Sequence, residues 1–126
     1  MDEKARGLEA APFGVVGLET AFGILYTELV LSGHIPLPLL IERLTTGPAR
    51  AFGLEAGTLR PGAAGDVVVF DLKAEWTVDP ATFRSLGRNT PWAGRLLYGR
   101  AVVTIVAGRV VFDLTSDVAR HPGGRE

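Results

Sequence analysis

Apolar residues at Leu18, Ala21, Phe22, Leu25 and Leu29 recur at the spacing of one helix face, with Glu19, Thr27 and Glu28 largely outside it. That period predicts a helix over 18–31, and Gly33 is placed to end it. Pro36 and Pro38 then open a second predicted helix, in which Leu40, Ile41 and Leu44 form an apolar stripe and Glu42 and Arg43 the wet side. Pro48 suits a first helical position, so a short third helix is expected over 48–52, closed by Gly53. Ahead of these, residues 1–17 carry charges and then a proline and two glycines that break any period, which reads as a loop.

After Leu54 the period changes. Residues 57–65 are turn chemistry, and Asp66-Val67-Val68-Val69-Phe70-Asp71-Leu72 is a β-branched run bounded by polar residues, as expected of a buried strand. Residues 76–78 are expected to extend it into a partner strand. Ala101–Val106 and Arg109–Phe112 flank Ala107-Gly108, the pattern of a tight hairpin. The chain therefore reads as helices followed by strands, joined near Leu54. Three helices with a two-proline connection do not easily close a core alone, so two parts of something larger are expected: 1–54, 55–114, and a polar tail over 115–126 whose Pro122-Gly123-Gly124 favours fraying.

The composition, 47% hydrophobic over 126 residues, is that of one folded domain of ordinary size. Thirteen Lys and Arg against 14 Asp and Glu, with no basic cluster, leave no electrostatic footprint for nucleic acid or an anionic membrane. Glu28, Gly33, His34 and Pro36 interrupt the best candidate for a membrane span. The charged Met1-Asp2-Glu3-Lys4 start lacks an apolar signal core. The absence of cysteine excludes disulfides and thiolate metal sites, and it fits a cytoplasmic setting.

Candidate chemistry is sparse. His34 and His121 are the only histidines, one in a Gly-His-Ile-Pro connection and one in the tail, a poor start for a zinc site that needs three protein ligands. Asp2, Glu3, Lys4 and Glu9 read as a solvated loop face, because no histidine or apolar pocket nearby would shift their pKa values. Asp66 and Asp71 flank the first strand, where they are expected to end it and bind turn amides. Trp76, Trp92 and Phe112 read as core or as surface that covers another part of the protein. Gly62 to Gly65 lacks the Lys-Ser/Thr of a phosphate loop. On pattern alone, Pro12-Phe13-Gly14 is a turn that buries one ring.

Ala11-Pro12-Phe13-Gly14-Val15-Val16-Gly17-Leu18-Glu19-Thr20 resembles the segment after the last barrel strand of bacterial dihydroorotases. The resemblance continues through Leu44-Thr45-Thr46-Gly47-Pro48-Ala49-Arg50, through Gly62 to Asp71, and through Asn89-Thr90-Pro91-Trp92-Ala93-Gly94, covering nearly the whole chain up to Asp113. Gly47 stands where that family would place an asparagine helix cap. The β half alone would indicate only the wider superfamily with hydantoinases and allantoinases.

The resemblance implies an α/β fold: the end of a metal-dependent (β/α)8 barrel and the C-terminal part of a small β-sandwich. It implies a hydrolase interconverting N-carbamoyl-L-aspartate and L-dihydroorotate in pyrimidine synthesis. That chemistry needs a metal-bound hydroxide and a proton-shuttling carboxylate. The family's Asp-His-Ala-Pro-His motif, its early histidine pair, carboxylated lysine and middle histidines are absent here. The expectation is thus a piece of a zinc enzyme with Met1 as an internal or artificial start, with no catalytic or metal-binding residue of its own and inactive alone. Phe13 and Gly14 are the expected substrate contacts, since the family's Phe-Gly lies over the bound ring and offers it backbone groups. Expected partners are that small-molecule substrate and the remainder of the barrel, with a homo-oligomer left open. A non-catalytic interaction module and a fragment acting on another cyclic amide remain the alternatives.

Overall fold

The computed structural model describes residues 14–116. Helices come first and strands second: α1 (Ala21–Leu25) running into a π-helical turn (Tyr26–Val30), α2 (Leu37–Leu44), α3 (Thr46–Phe52), then β1 (Val67–Thr77), a short 3-10 turn (Pro80–Thr82), β2 (Leu96–Val106) and β3 (Arg109–Asp113). The strands form one antiparallel sheet in the order β1-β2-β3.

The first helix is present, but its buried face is not the one the apolar period selects. Thr20, Gly23, Ile24 and Tyr26 are buried, whereas Leu18 is 91% exposed and Phe22, Leu25 and Leu29 only half-covered. The sheet decides this. A Cβ on Gly23 would stand 3.0 Å from the Trp76 ring and 3.3 Å from the Gly99 carbonyl oxygen, so the helix lies on β1 and β2 with glycine at the point of approach. Gly99 answers from the strand. At φ 78 its missing Cβ would lie 2.9 Å from Tyr26 and 3.0 Å from Phe22. In the π-helical turn, Leu31 N–H donates to Tyr26 O at 3.0 Å. Neighbouring residues Tyr26 and Thr27 both reach β2, Thr27 Oγ1 accepting from Tyr98 N–H at 2.9 Å.

α2 starts at the predicted proline pair, with Pro36 as its cap, but of the stripe Leu40, Ile41 and Leu44 only Leu40 is buried. α3 begins at Thr46, two residues before the predicted Pro48, and is closed by Gly53 at φ 65. Gly47 is therefore inside the first turn and is not a cap. A Cβ there would stand 2.9 Å from Glu42 O, because a single residue, Thr45, separates α2 from α3.

β1 is one strand of 11 residues, so residues 76–77 continue it and form no partner strand. The break that hid this is a bulge. Between the pairs Asp71↔Arg100 and Glu75↔Tyr98, β1 spends two more residues than β2. Asp71 Oδ1 accepts from Lys73 N–H at 2.9 Å and Ala74 N–H at 3.2 Å, so the aspartate binds turn amides as expected but inside the strand. Val68 and Val69 point to opposite faces and both are exposed, so the run expected to be a buried strand is an edge strand open on both faces at this end among the described residues.

The hairpin forms as its sequence requires. Ala107 and Gly108 take φ 49 and φ 76, the two positive values of a tight two-residue turn. Asp66 Oδ1 accepts from Ala107 N–H at 2.7 Å, which ties that turn to the start of β1. The core sits between α1 and the sheet: Ile24, Val78, Phe83 and Leu97, the last fully buried, with Val16, Trp76 and Trp92 packed against them. Burying a side chain the size of Leu97 is worth about 1.5–3 kcal/mol. Trp76 and Trp92 are half-buried and pack against that core, and Phe112, also half-buried, has the Arg84 guanidinium 5.1 Å from its ring centroid.

Candidate functional site

Gly14 sits where the chain enters the described region, exposed, at φ 72, and among the described residues nothing lies within 4 Å of the position a Cβ would take. Only glycine visits that conformation at no steric cost, and the open space leaves its backbone free to meet another molecule closely. Phe13, the other expected contact, lies outside the described residues.

The Gly14 loop is held from across the fold by Asn89. The carboxamide Nδ2 of Asn89 donates to Gly14 O at 2.5 Å, and Val16 N–H donates to Asn89 O at 2.8 Å. The two bonds grip the loop on both sides of Val15. Val16 then drops its side chain onto the core, against Gly87, where an added Cβ would fall 2.5 Å from Val16 Cγ2. The motif Asn89-Thr90-Pro91-Trp92 thus divides its work. Asn89 grips the loop, Thr90 Oγ1 accepts from Trp92 N–H at 3.3 Å to shape the turn, and Trp92 packs on the core.

A second tie lies five residues further on. Glu19 accepts from Arg84 N–H through one carboxylate oxygen and from Ser85 N–H through the other, both at 3.0 Å. Burial pushes this carboxyl up. The backbone bonds from Ser85 and Arg84, the Ser85 hydroxyl and the charge of Arg88 outweigh it and leave Glu19 below its ordinary value. Thr20 Oγ1 donates to Gly17 O at 3.2 Å and closes the turn between the ties. Arg95 pairs with Glu28 further along the helix.

The described residues do not fit a metal centre. No group of three or more His, Cys, Asp or Glu among them is placed to hold an ion, and His34 stands exposed between the π-helical turn and α2. His121, Asp2, Glu3, Lys4 and Glu9 lie outside the described residues. An open hollow beside α3, lined by Thr46, Ala49, Arg50, Leu54, Thr58 and Arg60 among others, contains no carboxylate or histidine and offers no acid–base chemistry. No helix among the described residues is long and apolar enough to cross a membrane. What this region supplies is a positioned backbone.

Sequence reasoning singled out Gly14 as an expected contact and did not anticipate the residues that hold its loop. Asn89 stood in view only as part of a motif, and Glu19 only as a residue off the apolar stripe. The partners are 75 and 65 residues apart, so no local period links them.

Residues 16–112 match the amidohydrolase family. Among curated proteins, the dihydroorotase of Bacillus caldolyticus is 52% identical over 111 residues, which is 88% of this chain and 26% of that protein. The dihydroorotase of Anaeromyxobacter sp. (strain K) is 58% identical over 111 residues, 88% of this chain and 25% of that protein. Among solved structures, the L-hydantoinase (dihydropyrimidinase) from Arthrobacter aurescens gives a TM-score of 0.78 at 34% identity, covering 86% of this chain and 24% of that one. The D-hydantoinase (dihydropyrimidinase) from Thermus sp. gives 0.78 at 26% identity, covering 89% and 25%. The chain spans about a quarter of the length of the curated relatives it matches. With a family match that runs from the Gly14 loop through the core to the terminal hairpin, this chain belongs to the amidohydrolase family.

Proposed function

We propose that this chain is the C-terminal part of a dihydroorotase, a cytoplasmic hydrolase that interconverts N-carbamoyl-L-aspartate and L-dihydroorotate in pyrimidine synthesis. The observation that carries the reading is the identity of 52–58% to dihydroorotases over 111 residues, against 26–34% to the hydantoinases. On this reading, residues 1–54 are the last barrel loop and helices, 55–114 belong to a small β-sandwich and 115–126 form a tail. The exposed valines on the two edge strands, Val68 and Val69 on β1 and Val110 and Val111 on β3, suit a sheet that the rest of the enzyme covers. Zinc would be held by residues outside those described.

Within that enzyme Phe13 and Gly14 contact the substrate. Gly14 brings backbone close to the ring, and its amide is suited to donate to the substrate carboxylate. The complete protein that carries this chain is expected to open L-dihydroorotate, followed by the appearance of N-carbamoyl-L-aspartate. Faster turnover of hydantoin than of dihydroorotate would replace this reading with the hydantoinase one, which the shared fold favours. Gly14→Val should weaken substrate binding by roughly 1–3 kcal/mol with metal content unchanged, and unchanged KM and kcat would remove Gly14 from the site.

A further inference from the structure

We infer that Asn89 is the positioning residue of the substrate loop: its side chain and its backbone together fix the direction in which the Gly14 peptide faces the bound ring. The inference rests on the proposed dihydroorotase reading for its substrate, and on the geometry for the rest. Among the described residues nothing lies within 4 Å of the position a Cβ of Gly14 would take, so none of them packs on it there. A glycine also has the widest backbone freedom of any residue. A loop that must present one amide to a ligand therefore needs an outside constraint, since a loose loop would lose ordering entropy on every binding event.

Asn89 provides that constraint at two points, Nδ2 to Gly14 O at 2.5 Å and O from Val16 N–H at 2.8 Å. The residue type follows from the task. A carboxamide offers an N–H donor to a carbonyl, and aspartate of the same shape would present only oxygen to it. Asn89 is itself fixed at both ends, by Trp92 on the core three residues later and by Glu19 holding the amides of Arg84 and Ser85 upstream. The clasp is thus built from the core outward and ends on the residue proposed to meet the substrate.

The experiment uses the complete enzyme and two variants, Asn89→Ala and Asn89→Asp, with KM and kcat for dihydroorotate, metal content, thermal midpoint and hydrogen exchange of residues 14–16. Both variants should raise KM roughly five- to tenfold, the effect of about one hydrogen bond, with kcat changed less, metal retained and exchange at 14–16 accelerated. Combined with Gly14→Val, either variant should add little to the loss from Gly14→Val alone. An active parent enzyme whose variants keep KM unchanged overturns the inference. So does loss of metal or of the fold, because Asn89 would then be a structural residue. A parent enzyme inactive on dihydroorotate sinks the functional reading, while exchange at 14–16 still decides the clasp: acceleration supports it, and unchanged protection overturns it.

Discussion

Replacing Gly99 by alanine places a methyl group where helix and sheet come closest. Two separate costs follow. The first is conformational: at φ 78 an L-residue with a Cβ carries about 1–2 kcal/mol of strain. The second is steric, because the new carbon would stand 2.9 Å from Tyr26 Cδ1 and 3.0 Å from Phe22 Cε1. Neither ring can easily move away. Phe22 is stacked on Phe70 with centroids 3.6 Å apart, and Tyr26 is buried. Overpacking of this kind costs about 1–3 kcal/mol, so Gly99→Ala should destabilise by about 2–5 kcal/mol, a large share of an ordinary domain's stability. Gly108→Ala is the internal reference. Its φ of 76 is nearly the same, but nothing lies within 4 Å of the added carbon, so only the strain of about 1–2 kcal/mol applies. Urea unfolding followed by the fluorescence of Trp76 and Trp92, which both pack on the core, measures the difference. At a slope of about 1–2 kcal/mol per M, Gly99→Ala should shift the midpoint by roughly 1 M or more. Equal losses for the two variants, within about 0.5 kcal/mol, would refute the close approach of α1 to β2.

Three further outcomes are expected. Asp71→Ala should cost about 1 kcal/mol, since the amides of Lys73 and Ala74 lose their acceptor, whereas Asp71→Asn keeps an Oδ1 and should cost less; equal melting points for both would exclude the bulge cap. Glu19 has its folded pKa below the unfolded value, so its contribution to stability is present above the unfolded value and is lost as pH falls through the folded one. Glu19→Gln should accordingly lower stability mainly near neutral pH and little in acid, which flattens part of the acid limb of the stability curve, and an unaltered acid limb would count against the tie to Arg84 and Ser85. In hydrogen exchange, Ile24 and Tyr26 should be protected about as well as Leu97, since all three are buried, while α2 and α3, whose main contacts among the described residues run to each other and to the π-helical turn, should exchange faster. Uniform protection across all three helices would show a tighter union than these contacts provide.

The sequence by itself determined the local elements. The hairpin at Ala107-Gly108, the proline start of α2 and the Gly53 stop of α3 depend on φ values that particular residues permit or forbid within a few positions, and each forms where its residues stand. The positive φ of Gly14 is of the same local kind, a conformation that glycine adopts without strain. Tertiary structure decided which faces are buried. The apolar period of the first helix pointed to Leu18, yet the helix turns Gly23 and Ile24 inward, because a sheet from the other half of the chain meets it through Gly99 and only a glycine face lets the two backbones close. The strand over 67–77 reads as two pieces in the sequence because an aspartate bulge at Lys73-Ala74 absorbs two residues that no alternation of side chains records. Asn89 and Glu19 lay in plain sight with chemistry suited to many roles. Only folding brings Asn89 to Gly14, since a hydrogen bond spanning 75 residues depends on everything between its partners and leaves no periodic trace along the chain.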